Sequence, residues 1–451
     1  MFGKQILAAF LMLLVGGATL ADDVSVTVYN SNLGVVSETR ALEFAKGVDR
    51  LAFTDVPAQI DAASVRFELA QPKHDVAILE QNYAYDLVSP EQMYAKYIDQ
   101  RIELLDKDGR MYSGTLLAYS GGAVTLMQPN GQVKIIGMGE IIETDFPVLP
   151  DGLITRPTLF WLYQSDFAGK LDCRVSYQTA GISWDAEYVG QLSEDESKLD
   201  LSGWASINNV SGKTYKDARL KLIAGDINRA QPDRRLDKRG YVAELSASAA
   251  PGFAEKSFFE YHMYTLPRTA TVADKETKQI SLFEPARATV TKVYEYSPDV
   301  NAENVMVKVE FKNSEAAGLG MPLPAGRVRL FKPDDDGALI LLGEDQINHT
   351  PKDEELSLTV GTAFDIKGEQ TIVDQAQISP KITDREFEIE LRNHKTEDVH
   401  IKVKKSLYGF WEVLTSDVKY EKENATSLVF NVPVKAGETA KVRFKIRYTN
   451  R

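Results

Sequence analysis

The 451-residue chain contains a single cysteine, Cys173. One cysteine excludes an intramolecular disulfide, so a packed core must hold the fold even in an oxidising compartment. A chain of this length can bury such a core, and its length predicts two to four domains. Because Cys173 lies on the apolar side of a strand-like alternation, we interpret it as a small buried hydrophobe rather than a reactive thiol.

Basic residues are outnumbered, and long apolar runs are missing. The chain has 52 Lys and Arg against 65 Asp and Glu, which gives a net charge of −13 at pH 7. This excess argues against binding to nucleic acid or to anionic lipid. Beyond the N-terminus no apolar run reaches the roughly 20 residues that a spanning helix needs. We therefore expect no membrane span in the mature chain.

The N-terminus itself is typical of a secretion signal over residues 1–21. Lys4 supplies a positive start, Ile6 to Val15 is apolar, and Thr19-Leu20-Ala21 ends in a small residue before two aspartates. A retained N-terminal anchor is the alternative. The signal predicts a periplasmic or secreted protein, and it leaves open whether the segment is cleaved.

Catalytic and metal-binding motifs are also missing. No HExxH, CxxC or GxSxG pattern occurs, and no two histidines are closer than six positions. The sequence therefore predicts no catalytic, cofactor-binding or metal residue and no cofactor. His349 lies in the most polar surroundings, and we interpret it as a hydrogen-bonded loop residue. The five histidines are His74, His262, His349, His394 and His400.

Two loops resemble ligand-binding motifs superficially. Gly318 to Gly326 is glycine-rich like a phosphate-binding loop, but it lacks the Lys-Ser or Lys-Thr pair and precedes a strand pattern. Asp334 to Gly337 is acidic like a calcium loop, but it lacks the alternating ligand spacing. We interpret the second as an Asp-Gly hairpin turn.

Period-two alternation of apolar and polar residues dominates the chain and predicts strands. It is densest from Leu171 to Asp226, where it predicts about four antiparallel strands forming a central sheet, with Trp184 in the interior. The preceding run from Thr158 to Tyr163 is apolar at every second position in both phases, which predicts a strand buried on both sides. Trp161 and Trp204 are the candidate surface tryptophans, although core packing is favoured for both.

Punctuation by turns divides the remainder. We predict an N-terminal β region over 22–88, a short helix with a small barrel of SH3 or Sm type over 89–147, a central β domain over 148–380 with a mobile loop at 228–256, and an immunoglobulin-like sandwich over 381–451. The fold class is thus mainly β, a multidomain set of antiparallel β-sandwiches with a small-barrel insert.

The insert and the C-terminal segment carry the clearest local signals. Ser89-Pro90-Glu91-Gln92 is a helix-start signature, and Asp-Gly, Gly-Gly and Asn-Gly turns separate five short strand patterns after it. RNA binding, common in Sm-type barrels, is disfavoured by the acidic secreted chain, so a structural or protein-contact role is expected. In the C-terminal segment one strand has a glutamate face and two others have lysine faces, which could pair across a sheet surface.

Four segments together resemble one bacterial exported family, the domain of unknown function 4139, whose relatives include mucoidy-inhibitor-like proteins. They are SYQTAGISWDAEY, LSGWASINNVSGKTYKDARLKLIAGDI, FFEYHMYTLP and LGMPLPAGRVRLF. The resemblance spans Pro157 to about Arg451, with a weaker match over Val24 to Leu69. Relatives often carry a coiled coil between those halves, and this chain has the small-barrel pattern there instead. The resemblance implies a mostly β envelope protein and transfers no catalytic residue or cofactor.

These observations lead to three hypotheses. The first is a non-enzymatic envelope scaffold or binding protein, with an envelope protein or a glycan as partner. The second is an envelope hydrolase acting on glycan or peptide through carboxylates as general acid and base. The third is a carbohydrate-binding or adhesin-like surface protein. The sequence leaves the specific partner, the oligomeric state and the role of the 228–256 loop open, and it directs attention to that loop and the insert.

Overall fold

The fold is given by a computed structural model that describes residues 23–71, 73–150, 153–225, 227, 253–258 and 261–449. The described residues form 29 β-strands and one α-helix, so the prediction of a mainly β protein is confirmed. No helix among these residues is long and apolar enough to cross a membrane.

The first half of the chain contributes fifteen strands and the helix. Before the insert these are β1 Asp23–Tyr29, β2 Leu33–Phe44, β3 Gly47–Thr54, β4 Ile60–Leu69 and β5 Val76–Ala84. The insert contains α1 Pro90–Lys96, β6 Arg101–Asp106, β7 Met111–Ser120, β8 Ala123–Met127, β9 Val133–Gly137 and β10 Ile141–Asp145. After it come β11 Thr158–Ser165, β12 Gly169–Thr179, β13 Ile182–Leu192, β14 Lys198–Asn209 and β15 Tyr215–Ala224.

The second half contributes fourteen strands. The first seven are β16 Ala254–Phe258, β17 Tyr261–Val272, β18 Glu276–Thr289, β19 Thr291–Tyr296, β20 Asn304–Lys312, β21 Gly326–Pro333 and β22 Leu339–Ile347. The last seven are β23 Glu355–Ser379, β24 Ile382–Asn393, β25 Val399–Ser406, β26 Phe410–Ser416, β27 Tyr420–Asn424, β28 Ser427–Val434 and β29 Thr439–Thr449.

The main body is built from three sheets around one hydrophobic core. The first sheet has the order β16-β17-β15-β1-β2-β12-β4, the second β18-β14-β13-β21-β22, and the third β3-β11-β5. Trp184 on β13 and Trp161 on β11 are 0% and 1% exposed and belong to this core. Alternating buried and exposed residues along each strand account for the layering, as expected for packed sheets.

The predicted central sheet over Leu171 to Asp226 was wrong, because its four strands divide between two layers. β12 and β15 lie in the first sheet, whereas β13 and β14 pair with each other in the second. The chain changes layer at Gly181, whose φ is +75° and whose added Cβ would lie 2.8 Å from the Cα of Ser211. Alternation specifies which side chains face inward, and either layer of a sandwich satisfies the same alternation.

Two predictions about tryptophan-containing strands also need correction. β11 is buried on one face only, since Trp161 is enclosed while Phe160 is 37% exposed. On β14 the buried side chains are Leu199, Leu201 and their alternate neighbours, so Trp204 lies half-buried on the opposite face. An apolar residue on an outer face costs little, so apolarity alone does not assign a face.

The N-terminal strands are part of the main body. β1 lies between β15, which it pairs with in parallel from Ser25 to Tyr29, and β2, which is antiparallel. Val26 and Val28 are fully buried in the common core. Removing β1 would therefore split the first sheet at its centre.

The insert extends from a pair of adjacent strands in the third sheet. The chain leaves the body after Ala84 and returns at Thr158, and these two residues are cross-strand partners. Its helix begins as predicted, with the Ser89 hydroxyl accepting a hydrogen bond from the Gln92 amide at 3.2 Å. Across residues 89–147, all of which are described, the sheet order is β10-β6-β7-β8-β9 and its two edge strands do not pair. The five predicted strands are present, but the sheet is not closed into a barrel.

The predicted mobile loop at 228–256 falls largely outside the described residues, which resume at Phe253. Its last residues are in a strand, since β16 starts at Ala254 and pairs with β17 at the edge of the first sheet. The loop prediction over 228–252 stays a prediction.

The C-terminal sheet contains nine strands in the order β26-β29-β24-β23-β20-β19-β25-β28-β27. It folds over on itself, because Phe444 on the second strand and Phe430 on the eighth have ring centroids 5.0 Å apart. The sheet also extends across residue 381, where the sequence places a domain start: β23 and β24 pair from Ile366 to Ser379. The alternation of apolar and polar residues continues with little change on both sides of residue 381. The sequence pattern therefore does not show whether one sheet or two form this region.

The predicted charge pairing on this sheet is confirmed for one lysine-bearing strand. Glu388 on β24 accepts hydrogen bonds from Lys441, at 2.9 Å, and from Arg443, both on β29. Lys404 on β25, the other such strand, is paired with Glu423 on β27 instead. Both sets lie at the surface and contribute little to stability.

Candidate functional site

The structure brings two of the five histidines, His262 and His349, to the same cavity. This cavity, the histidine cleft, is defined by Gly225, His262, Tyr264, Pro322, Pro324 and His349, and Ala224, Leu323, Thr350 and Pro351 complete its lining. The cleft encloses about 220 Å³. The other histidines are dispersed: His74 stacks on Phe167, His394 follows the end of β24, and His400 lies on the outer face of β25.

Strand ends from the first sheet form one side of the cleft. Ala224 on β15 and His262 on β17 are cross-strand partners, as are Leu222 and Tyr264 one step deeper. Leu222 and Tyr264 belong to the main core, so the cleft opens where the sandwich core ends. The opposite side is the turn that leads into β21, together with residues 348–351.

Buried donors hold that opposite side in place. The carbonyl oxygens of Pro322 and Pro324 accept hydrogen bonds from the hydroxyls of Tyr264, at 3.1 Å, and Tyr188, at 2.7 Å. Burial raises the pKa of Tyr188 and that of Tyr264 above the ordinary value, so both phenols stay protonated and remain donors. Leu323 pairs with Thr350 through two backbone hydrogen bonds of 2.9 and 2.8 Å.

A fully buried asparagine anchors the same turn from behind. The Nδ2 atom of Asn313 donates to the carbonyls of Met321, at 2.6 Å, and Pro351, at 2.9 Å, while its Oδ1 accepts from the Gly320 amide at 3.1 Å. All the carbonyls from Met321 to Pro324 are thus engaged inside the protein. The turn is preorganised, and it presents proline rings rather than free acceptors to the cavity.

Hydrogen bonds fix the orientation of both histidine rings. Nδ1 of His349 accepts from the Ala325 amide at 3.0 Å, so the neutral ring carries its proton on Nε2. Nδ1 of His262 lies 2.8 Å from Oε1 of Glu255 on β16, and a carboxylate there holds the proton on Nδ1. Nε2 of a neutral His262 is then a hydrogen-bond acceptor on the wall of the cleft.

The described lining of the cleft is mainly apolar. Among the described residues that line the cleft there is no aspartate, glutamate, serine or cysteine. No cluster of three or more histidine, cysteine, aspartate or glutamate side chains suited to a metal ion occurs anywhere in the described residues. The described lining offers one carboxylate-oriented imidazole, the Thr350 hydroxyl and a mainly apolar wall, and it contains no pair of carboxylates.

A second polar cluster is largely buried. Lys213 donates to both carboxylate oxygens of Glu38, at 3.0 and 3.1 Å, and Tyr177 donates to one of them at 2.9 Å. Arg40 completes the set by donating to Oε2 of Glu38 at 2.7 Å. Burial by itself raises the pKa of Glu38, yet Lys213 and Arg40 outweigh burial and hold that pKa below its ordinary value. This cluster joins β2 to the segment before β15.

The other predicted features have structural roles. Cys173 is fully buried, and burial raises the pKa of its thiol to about 12, so the interpretation as a core residue is confirmed. Asp334 to Gly337 is the predicted hairpin turn between β21 and β22, with Gly337 at a φ of +85°. The segment from Gly318 to Gly326 precedes a strand, as expected. Its residues Pro322, Leu323 and Pro324 form one side of the cleft, which we call the proline wall.

A family model described as "Domain of unknown function (DUF4139)" matches residues 173–449, which is more than half of the chain. The chain belongs to this family. None of the curated proteins matches it. Every residue of the histidine cleft lies within the matched region, whereas Glu38 lies outside it.

Hydrogen bonds at and near the cleft join the four segments that carry the resemblance of this DUF4139 chain to its family. Tyr188 and Tyr264 come from two of them, and their hydroxyls donate to the carbonyls of Pro324 and Pro322, which belong to a third. The indole of Trp184 donates to the carbonyl of Ile223 at 3.0 Å, which joins the fourth. The sequence drew attention to His349 and to the glycine-rich turn but missed His262, since only the tertiary contact with Glu255 sets it apart.

Proposed function

We propose that this protein is a non-enzymatic binding protein of the cell envelope and that it holds its partner in the histidine cleft. The observation that carries this proposal is the wall from Met321 to Pro324, whose carbonyls are all occupied by donors within the protein. A preformed, mainly apolar cavity suits recognition. The signal-like residues 1–21 support a periplasmic or secreted location.

The proposal extends to the architecture of the two outer regions. The folding of the C-terminal sheet onto itself supports an immunoglobulin-like sandwich over its last strands. The helix followed by five meandering strands supports a small-barrel type for the insert, as an open variant. In this proposal the insert is a second contact region of the scaffold.

Site-specific photo-crosslinking in cells tests the binding function. A short aliphatic diazirine amino acid, which adds no ring to the cleft, is placed at Thr350 and, as a control, at Ala436 in an exposed turn of the C-terminal sheet. We expect a discrete adduct with one protein from position 350 alone, identified by mass spectrometry and lost when Ala224→Phe fills the cleft. Equal adducts from both positions, or none from position 350, would overturn the proposal.

A hydrolase is the second candidate, because the Glu255–His262 pair is an oriented imidazole of the kind used as a general base. Peptide and glycan substrate panels with the purified mature protein decide between the two. Binding predicts no turnover above a heat-inactivated sample. Turnover that is lost in both His262→Gln and Glu255→Gln would establish the hydrolase instead.

A further inference from the structure

The size of the histidine cleft restricts its occupant. Its volume of about 220 Å³ lies below the roughly 300–1,000 Å³ that is usual for small-molecule and cofactor sites. A space of this size accommodates one large side chain. We therefore take the occupant to be one anchoring residue of a larger partner rather than a free metabolite. An anchoring residue also agrees with the proposed binding function.

The walls restrict its polarity. Because the carbonyls of Pro322, Leu323 and Pro324 are already hydrogen-bonded, this wall offers proline rings and aliphatic carbon. Proline rings pack against aromatic rings in the recognition of proline-rich segments, and here the prolines are supplied by the cleft. On this side a lysine, an arginine or a sugar would find carbonyls that already accept a hydrogen bond and a Thr350 hydroxyl that donates to the Asn348 carbonyl, which is too little to replace its lost water.

The opposite wall supplies a single oriented polar atom. In the neutral form of His262, Glu255 holds the proton on Nδ1, which leaves Nε2 to accept a hydrogen bond from an occupant. A side chain with a large apolar body and one donor at its edge matches this arrangement. Tyrosine, with its O–H, and tryptophan, with its N–H, are the two side chains of that kind, and both are enriched among the residues that dominate interface affinity.

We propose that the histidine cleft binds a tyrosine or tryptophan side chain of a partner protein, with the proline wall against its ring and Nε2 of His262 as acceptor for its O–H or N–H. This inference rests on the proposed binding function and adds the chemistry of the anchor.

Side-chain analogues test it on the full mature protein. The probes are p-cresol and 3-methylindole, with toluene as the ring that lacks a donor, and binding is followed by saturation-transfer NMR titration. We expect p-cresol to bind more tightly than toluene. His262→Ala should weaken p-cresol by about two- to tenfold, the range of one hydrogen bond, and leave toluene within twofold.

Two cleft-filling variants and a matched control complete the experiment. Ala224→Phe and Thr350→Phe each place a ring where the ligand ring would lie, and both should weaken p-cresol at least tenfold. Ala436→Phe adds the same ring at an exposed turn and should change nothing. Circular dichroism checks that each variant is folded. If Ala224→Phe does not fold, Thr350→Phe takes its place in the test.

Probe binding that is unaffected by both filling variants, or no detectable binding at millimolar p-cresol, would overturn the aromatic anchor. If the adduct at position 350 persists in that case, the binding function stands and only the choice of occupant falls. If the adduct is also absent, both proposals fall.

Discussion

The Nζ atom of Lys213 lies 3.0 Å from Oε1 of Glu38, and these side chains are only 5% and 2% exposed. The two residues are 175 positions apart in the chain. Their contact ties the N-terminal strands to the family-matched region. Because both charges are removed from water, each depends on the other, and this dependence leads to the first two predictions.

Lys213→Met should lower the free energy of unfolding by about 3–5 kcal/mol, since it leaves the Glu38 carboxylate buried without its main counter-charge. Urea denaturation followed by tryptophan fluorescence measures the change. The double variant Glu38→Leu with Lys213→Met should recover most of the loss, because no buried charge remains. As a control, Lys435→Met removes one partner of the exposed Lys435–Asp398 pair and should have a much smaller effect. A double variant no more stable than Lys213→Met alone would contradict this account.

The same pair predicts an acid dependence. The pKa of Glu38 is lower in the folded protein than in the unfolded chain, so its stabilisation is present above the unfolded pKa of about 4.5 and is lost as pH falls through the lower folded pKa. The stability of the native protein relative to the Glu38→Leu, Lys213→Met variant should therefore fall as the pH falls below about 4.5. Urea midpoints at pH 7, 5, 4 and 3 measure it. A difference that stays constant across this range would exclude Glu38 as the titrating group.

The N-terminal strands should be indispensable to the family-matched region. A chain that starts at Val56 lacks β1 to β3, including Val26 and Val28, each of which contributes about 1.5–3 kcal/mol through burial. The backbone edges of β15, β12 and β11 also lose their partners β1, β2 and β3. The combined loss is comparable to the 5–15 kcal/mol stability of a whole domain. We expect no cooperative thermal transition by circular dichroism. A chain that starts at Asp23 is the control and should unfold cooperatively; a sharp transition in the shorter chain would refute the prediction.

The insert, in contrast, should be removable. Ala84 and Thr158 are cross-strand partners, so a short Asn-Gly turn can replace residues 86–156 and close the β5–β11 pair. The free energy of unfolding of the main body should change by no more than about 2 kcal/mol, because the insert has its own core. Urea denaturation measures this change. As a control, a second variant carries the same turn in place of residues 98–140 only, which breaks the core of the insert. Aggregation of the excised variant would show that the insert stabilises the body.

The thiol of Cys173 should react only when the protein unfolds. It is fully buried, and burial raises the pKa of the thiol to about 12. At neutral pH the reactive thiolate form is therefore scarce, and the sulfur is also shielded from reagents by the core. Labelling by a thiol reagent at pH 8 should therefore follow the urea unfolding transition. A Cys173→Ala variant carrying Ala436→Cys in an exposed turn should label at once in the folded state. Rapid labelling of native Cys173 would mean that β4, the edge strand beside Cys173, opens locally.

Local features of the chain were predictable because their causes are local. The helix start at Ser89, the hairpin turn at Asp334 to Gly337 and the burial of Cys173 and Trp184 follow from capping, turn dihedrals and period-two alternation. The family resemblance likewise came from short segments of sequence. None of these depends on which distant strand lies alongside.

Tertiary structure alone decided how the strands are assigned to layers and which residues meet. Alternation is satisfied by either sheet of a sandwich, so the sequence could not show that β12 and β13 separate at Gly181. The pairs Glu38–Lys213 and Glu255–His262 arise from strand pairing, which single-residue patterns do not encode. The sequence by itself determined a mainly β chain of this family. The packing of two sheets created the histidine cleft, because a cavity exists only where distant segments end together.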